Sequence, residues 1–285
     1  MKRQFFVLLF FAFLKAQQII LPTVDNFELI VKVSVKDSVS LTYPYETHYI
    51  YEYTLINSPS SGQPVYIFEI PWFARYYYPP LYHYLKGDTS FSRLGYKTIP
   101  KRACWLHLSI RPGDTVSGFV FITKELPSIS DAYAQGFDSV IVCPEVYGLP
   151  EDIAEDTLNK IYFERTPYGP GKVYKTVGPG PYPPMKPIWP WGHYPDSAFI
   201  HLGDRLGKCK EQGWLTQHAF EEIKRIIGHA WNHIQQGRLE QSKRTLTRLM
   251  ETLERLKGQE KITEEAFYIL YYRTKYVRDN LWYKP

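Results

Sequence analysis

Apolar and polar residues alternate along the first half of the chain with the period of two that is typical of half-buried strands. The alternation begins at Phe27, recurs at Tyr49–Leu55, and returns at Val65–Ile70 and Val116–Ile122. Turn-forming segments such as SPSSGQP and RPGD separate these runs, and no long helical pattern lies between them. We therefore predict an antiparallel β-sandwich over residues 17–166.

The last third of the chain changes to the helical period, with apolar residues three and four positions apart. Thr216 and Thr263 stand before two of these runs as N-cap residues, while Gly213 and Gly237 stand where helices should end. Because the connections are short, neighbouring helices should pack antiparallel. The pattern predicts a bundle of about four helices over residues 196–285.

Between these regions lies the segment PYGPGKVYKTVGPGPYPPMKPIWPWGHYP, in which nearly half of the residues are proline or glycine. Such a composition disfavours a helix or a central strand, so residues 167–195 are predicted to be a linker. Proline and interspersed aromatic residues favour a stiff, partly adherent connector that keeps the two parts at a defined distance. The predicted fold class is therefore α+β, segregated into two modules.

The first residues combine a basic start at Lys2 and Arg3, an apolar run at Phe5–Leu14 and a small residue at Ala16. This pattern is typical of a secretory signal peptide, which we place at residues 1–16. Ten apolar residues are too few to span a bilayer, which needs about 20. We expect a secreted protein without a membrane span in its mature form, and an uncleaved anchor or a buried first strand is the alternative.

The charge of the mature chain argues against a nucleic-acid partner. The formal net charge is +5, and removal of Lys2, Arg3 and Lys15 with the signal segment lowers it by three, to +2. Nucleic-acid binding needs a clustered basic face, which this balance does not predict.

Three cysteines occur, and no Cys-x-x-Cys motif accompanies them. Export permits disulfides, so a Cys104–Cys143 bridge is one expectation and two free thiols are the other. Cys209 would then have no cysteine left to pair with, and we expect it to be a buried residue that packs like a small apolar side chain.

An aromatic segment, PWFARYYYPPLYHYL, follows the strand that ends near Ile70 and has neither the strand nor the helix period. Exposed aromatic rings would form a stacking surface for sugars or for a protein partner. Alternatively, the loop folds over the open end of the sandwich and buries its rings. The candidate binding residues are Trp72, Tyr76, Tyr77, Tyr78 and Tyr82.

Metal binding has only weak candidates in this sequence. His229 and His233 have the spacing of two ligands on one helix face, but the glutamate of a His-Glu-x-x-His motif is missing, and a solvated polar face is the favoured interpretation. The acidic residues between Glu145 and Asp156 lack a calcium-loop signature and are expected to begin a helix instead. We predict no metal and no cofactor.

Two stretches resemble a known group of proteins. The region that begins GWL at Gly213 and ends ITEEAFYILYYRTKYVRDNL resembles the FIMAH-type (FIVAR-like) helical modules of bacterial secreted and surface-associated proteins. IRPGDTVSGFVFITKELPSISDAYAQG and YEYTLINSPSSGQPVYIFEI resemble the sandwich that often precedes this module in uncharacterised exported proteins. The resemblance implies an accessory or structural role outside the cell and supplies no catalytic residues.

No catalytic motif accompanies these patterns. The sequence predicts an exported, non-catalytic binding protein whose partner is a glycan, the cell envelope or another protein. One alternative is a secreted hydrolase that uses a carboxylate pair, such as Glu52 and Glu69 on neighbouring strands. The other alternative is a structural component of an extracellular layer.

Overall fold

The protein has a mixed α+β fold with two antiparallel sheets and four helices among the residues that the structure describes. The structure is a computed structural model and describes residues 25–39, 47–72, 101–105, 108–137, 171–180 and 195–281. The strands are β1 (Leu29–Val39), β2 (Thr47–Asn57), β3 (Val65–Trp72), β4 (Lys101–Trp105), β5 (Thr115–Thr123), β6 (Pro127–Gly136) and β7 (Lys172–Pro179). The helices are α1 (Pro195–Glu211), α2 (Gln217–Gln235), α3 (Leu239–Gly258) and α4 (Glu264–Asn280).

The first sheet has the strand order β1-β2-β5 and matches the alternating pattern of the sequence. Tyr53 lies opposite Val33 on one side and opposite Phe119 on the other, and all three are buried. Since every second residue of β2 is buried from Tyr49 to Leu55, one face of this sheet is a continuous apolar surface. The predicted strands at these positions are confirmed.

A bulge interrupts the pairing of β2 with β5 just after Tyr53. There the partner shifts from Phe119 to Ser117, so that Gly118 is the extra residue, and its φ is +91°. An L side chain rarely adopts this conformation, which explains a glycine in the middle of an otherwise β-branched and aromatic strand.

Replacing Gly118 by alanine should lower the free energy of unfolding by about 1–2 kcal/mol, because the left-handed backbone penalises a Cβ. Gly203→Ala is the matched control, since Gly203 lies exposed inside helix α1 with no atom near its Cβ position. That change should stabilise the protein by about 0.5–1 kcal/mol. Urea unfolding of both variants measures the two effects, and equal signs would contradict the assignment.

The second sheet has the order β4-β3-β6-β7. Its inner face carries large side chains on β3, such as Phe68 and Ile70, and small ones on β6, namely Ser128, Ser130, Ala132 and Ala134. Small residues on β6 leave room for the tyrosine rings of β2 that lie across from them. Tyr53 accordingly reaches the second sheet, where its hydroxyl donates a hydrogen bond to the carbonyl of Val177 at 3.0 Å.

Aromatic rings from both sheets form the centre of the core. The Phe68 ring stacks on Trp105 at 5.6 Å, and Phe119 lies edge-on to Trp105 at 5.7 Å. Tyr53 contacts both Phe68 and Trp105 with its ring, at 5.6 and 6.3 Å. Aromatic pairs in such edge and stacked arrangements add packing energy beyond the area that they bury.

The predicted linker over residues 167–195 is wrong in its central part. Lys172–Pro179 forms β7, which pairs with β6 along its whole length and adds an edge strand to the second sheet. Tertiary pairing overrides the composition here, because an edge strand needs donors on one side only and the proline lies at its last residue. The sheet region therefore extends past residue 166, and helix α1 begins at Pro195 itself.

The predicted helix boundaries are confirmed at the caps. The Oγ1 atom of Thr216 accepts a hydrogen bond from the amide of Ala219 at 3.2 Å, and Thr263 caps Ala266 in the same way at 3.4 Å. Gly213 and Gly237 have positive φ values of 74° and 69° just beyond the ends of α1 and α2. These are the glycine stops that the sequence predicts.

The helices do not stand apart from the sheets. Helix α4 contacts β1, β6 and β7, and α1 contacts both α4 and β6. Buried apolar residues of the sheets and of the helices belong to one continuous core. The expectation of a stiff connector that holds two separate modules at a distance is therefore wrong for the parts described, because helix α4 packs directly on the sheets.

Candidate functional site

The candidate site lies where the helices meet one end of the two sheets. Four positions mark this end: the last residues of β1 near Asp37, the start of β2 near Tyr49, the start of β6 at Pro127, and the end of β7 at Pro179. Strand β3 runs antiparallel to β6, so its last residue, Trp72, belongs to the same end of the second sheet. Ends of five strands from the two sheets thus mark the region where helix α4 contacts β1, β6 and β7.

Of the predicted binding residues, Trp72 is the last residue of β3, while Tyr76, Tyr77, Tyr78 and Tyr82 lie outside the described residues. Trp72 pairs with Lys101, the first residue of β4. Residues 73–100, which lie outside the described residues, therefore join two neighbouring antiparallel strands of one sheet, and the loop interpretation of this segment stays a prediction.

Helix α4 is fastened to this end by polar contacts. The hydroxyl of Tyr272 donates to the carbonyl of Val35 at 2.9 Å, and its ring lies edge-on to Tyr49 with centroids 5.5 Å apart. The Nε atom of Arg273 donates to the carbonyl of Pro127 at 3.0 Å. Lys275 forms an ion pair with Asp37. One helical turn thus binds both sheets at once.

Buried tyrosines line the inner face behind this turn. Tyr51 and Tyr53 are fully buried, and the hydroxyl of Tyr51 donates to the carbonyl of Glu125 at 2.7 Å. Burial raises the pKa of Tyr49, Tyr51 and Tyr53 well above the ordinary value, and the charge of Asp37 adds to the effect on Tyr49. These phenols therefore remain neutral hydrogen-bond donors at physiological pH.

Arg273 keeps its charge in these surroundings. Burial lowers the pKa of its guanidinium to about 10, and the nearby charge of Arg205 acts in the same direction. Both causes disfavour the positive charge, but a pKa of about 10 leaves the group protonated at neutral pH. Arg205 lies on α1, which contacts α4 and β6, so the like charge that adds to this effect comes from the neighbouring helix.

Cys209 lies on α1, one turn after Arg205, and is fully buried without a disulfide. Burial raises the pKa of its thiol to about 12, which keeps the sulfur in the unreactive protonated form. The expectation of a buried, small apolar cysteine is confirmed. The Cys104–Cys143 bridge stays a prediction, because Cys143 lies outside the described residues, as does the acidic group from Glu145 to Asp156.

The two candidate metal ligands occupy helix α2. His229 is exposed, whereas His233 is partly buried and its Nδ1 atom has no hydrogen-bond partner among the described residues. Across the described parts of the chain, no three histidine, cysteine or carboxylate side chains come together in a way that could hold a metal ion. Among the described residues, His229 and His233 therefore have no third side chain beside them that could complete a metal site.

The carboxylate pair considered for a hydrolase is not on neighbouring strands. Glu52 belongs to β2 in the first sheet, and Glu69 belongs to β3 in the second. Glu52 lies between the buried residues Tyr51 and Tyr53. Glu69 lies between the buried residues Phe68 and Ile70. Each carboxylate therefore lies on the face of its sheet away from the core, so the two cannot flank one substrate bond.

Comparison with protein-family models and with curated proteins finds no match for this chain. No helix in the described ranges is long and apolar enough to cross a bilayer. The site must therefore be interpreted from its own geometry.

The arginine pair was missed in the sequence, although a signal was present. Arg273 lies three residues after Leu270 and four before Val277, both of which are buried on α4. An arginine in the middle of an apolar helical face is unusual and indicates a buried polar contact. Arg205 stands in the same position on α1, between Leu202 and Leu206 and one turn before Cys209.

Proposed function

We propose that the protein is an exported, non-catalytic accessory or binding protein that acts at the cell surface or outside the cell. One observation carries the proposal: the aromatic segment is inserted between the paired residues Trp72 and Lys101, at the end of the sheets where the helices dock. Most hairpin connections have about 2–5 residues, and loops longer than about 12–15 residues are uncommon and are usually either functional or linker segments. Residues 73–100 far exceed that length.

The composition of this insertion favours a glycan, envelope or protein partner. Trp72, Tyr76, Tyr77, Tyr78 and Tyr82 supply flat, amphipathic rings that stack on sugars and that are enriched in protein interfaces. The sheets and the docked helices would serve as a rigid base for this loop. Such a division between scaffold and loop is common in binding proteins.

The proposed architecture is a β-sandwich followed by a FIMAH-like helical bundle, preceded by a signal peptide at residues 1–16. The shared aromatic core of the two sheets supports a sandwich, because Tyr53 and Phe119 of one sheet pack on Phe68 and Trp105 of the other. Secretion is supported by the basic, apolar and small-residue order of the first 16 residues.

The test is retention of the secreted protein on cell envelopes and on a panel of immobilised glycans. We expect the wild type to be retained and a Trp72→Ala, Tyr77→Ala, Tyr78→Ala triple variant to lose retention at least about tenfold, since each stacked ring contributes roughly 1 kcal/mol or more. The melting temperature should change little if these rings face the ligand.

Ile200→Ala is the matched control, because Ile200 on α1 is 68% exposed and its loss also reduces apolar surface. This variant should be retained as well as the wild type. Unchanged retention of the triple variant would refute the role of the loop. A large fall in its melting temperature together with the loss of retention would refute it as well, because the rings would then be part of the folded core. Large assemblies in light scattering would instead support a structural layer component.

A further inference from the structure

The junction between α1, α4 and the β6–β7 edge contains polar groups whose hydrogen bonds are incomplete. Arg273 projects from α4 onto this edge, where its Nε atom donates to Pro127. Its Nη2 atom lies 3.3 Å from the position that a Cβ of Gly180 would occupy, and Ser128 Cβ lies at the same distance from that point. A Cβ at residue 180 would therefore be in tight contact with the guanidinium and with β6.

Arg205 lies on α1, the helix that contacts both α4 and β6. Its side chain is only 13% exposed, and its buried Nε atom has no hydrogen-bond partner among the described residues. In the part of the chain that the structure describes, the carboxylate within ion-pair distance of Arg205 is that of Asp204, at 3.9 Å from Nε. Asp204 already forms a closer ion pair with Lys208, at 3.2 Å, so it neutralises Arg205 poorly.

Buried hydroxyl groups continue the polar surface from Arg273 into the strands. The hydroxyls of Ser128, Ser130 and Thr176 are buried and have no hydrogen-bond partner in the described part of the chain. Ser130 and Thr176 are register partners on β6 and β7, and Ser128 lies beside Gly180. The three therefore lie on one face of two adjacent strands.

Within the described ranges, the charges of this junction are unbalanced. The described ionisable groups that act most strongly on Arg273 are Arg205, Tyr51, Cys209 and Tyr49, and none of these is a carboxylate. The phenols and the thiol are neutral at physiological pH, because burial raises their pKa values. Two guanidinium groups and unsatisfied hydroxyls in a desolvated place are costly unless a negative group accepts their hydrogen bonds.

We infer that the junction is a binding site for a small oxyanion, a carboxylate or a phosphate group, held between Arg205 and Arg273 with Ser128 as a further donor. Guanidinium groups present several N–H donors in a plane that matches the oxygens of both groups, and such charge-assisted bonds are the strong ones. The inference goes beyond the proposed surface binding and does not depend on export or on the aromatic segment.

The experiment is isothermal titration calorimetry of the full chain with inorganic phosphate and, separately, with acetate, at constant ionic strength set by sodium chloride. We expect saturable binding of at least one of the two, and the difference between them identifies the oxyanion class. Arg205→Met should weaken that binding at least about tenfold, the loss typical of a hydrogen bond to a charged group.

Arg225→Met is the matched control, because it removes one positive charge by the same substitution from an exposed position on helix α2. This variant should bind the anion as the wild type does, and Arg205→Lys, which keeps the charge but not the planar donors, should be intermediate. Arg205 is preferred to Arg273 for substitution because Arg273 also joins helix to strand.

Two results would overturn the inference. One is the absence of saturable binding of either anion to the wild type at millimolar concentrations. The other is equal weakening by Arg225→Met and Arg205→Met, which would show that the general surface charge, and not the junction, attracts the anion.

Discussion

Raising the pH above about 10 is expected to unfold the protein steeply, because its buried tyrosines cannot ionise inside the core. Tyr51 and Tyr53 are fully buried and use their hydroxyl protons to bind the carbonyls of Glu125 and Val177. In the unfolded chain the same phenols lose their protons near pH 10. Alkaline conditions therefore stabilise the unfolded chain and leave the folded one unchanged.

The sign follows from the direction of the pKa shifts. Burial raises the folded-state pKa of both tyrosines above the unfolded value, so their contribution to stability is complete below about pH 10 and is lost as the pH rises. Each such tyrosine lowers the free energy of unfolding by about 1.4 kcal/mol per pH unit in that range. Arg273 acts in the opposite sense, because its folded-state pKa is lowered, but it is a single group.

The measurement is urea unfolding at a series of pH values between neutrality and strong alkali, with absorbance near 295 nm to follow phenolate formation. Phenylalanine in place of both Tyr51 and Tyr53 removes the two titrations while keeping the rings. This variant should be less stable at neutral pH, by roughly 1 kcal/mol for each lost hydrogen bond, but should have a shallower alkaline slope. Tyrosines that all ionise near pH 10 while the near-ultraviolet circular dichroism persists would contradict the prediction.

Replacing Tyr272 by alanine is expected to separate the unfolding of the helices from that of the sheets. The ring of Tyr272 packs on Tyr49, and its hydroxyl binds Val35, so the residue connects α4 to both β1 and β2. Truncation of a buried aromatic residue lowers the free energy of unfolding by about 3–5 kcal/mol. We expect one calorimetric transition in the wild type and two in the variant, with faster amide exchange at the end of β1.

Tyr272→Phe is the control, because it keeps the ring and removes only the hydroxyl. It should lower the free energy of unfolding by about 1 kcal/mol and leave a single transition. Two separate transitions in the wild type, or equal effects of both substitutions, would show that the contact does not couple the helices to the sheets.

The local elements were predictable because their signals are short in range. A threonine before an apolar helical run supplies an acceptor for a free amide, and the side chains of Thr216 and Thr263 do so. Alternation along Tyr49–Leu55 likewise predicted which face of β2 is buried. In both cases the physical cause lies within a few residues, so the pattern alone is sufficient.

Strands β6 and β7 were not predictable from their composition. β6 has the sequence PSISDAYAQG, whose serine, alanine and glycine residues have little strand propensity, and β7 lies inside a segment rich in proline and glycine. Small residues are needed on β6 because the tyrosines of β2 occupy the space across from it. That requirement comes from the opposite sheet and is invisible in the local sequence.

The sequence by itself determined the strand-rich and helical regions, the helix caps and stops, and the burial of Cys209, because periodicity and capping act locally. Only the tertiary structure decided that α4 packs on the sheets, that Glu52 and Glu69 belong to different sheets, and that the helices carrying Arg205 and Arg273 are in contact. These facts join residues far apart in the chain. Their physical reason is that antiparallel pairing places the start of β6 beside the end of β7, and packing of the two sheets places β1 next to β7, so that the single helix α4 contacts all three strands.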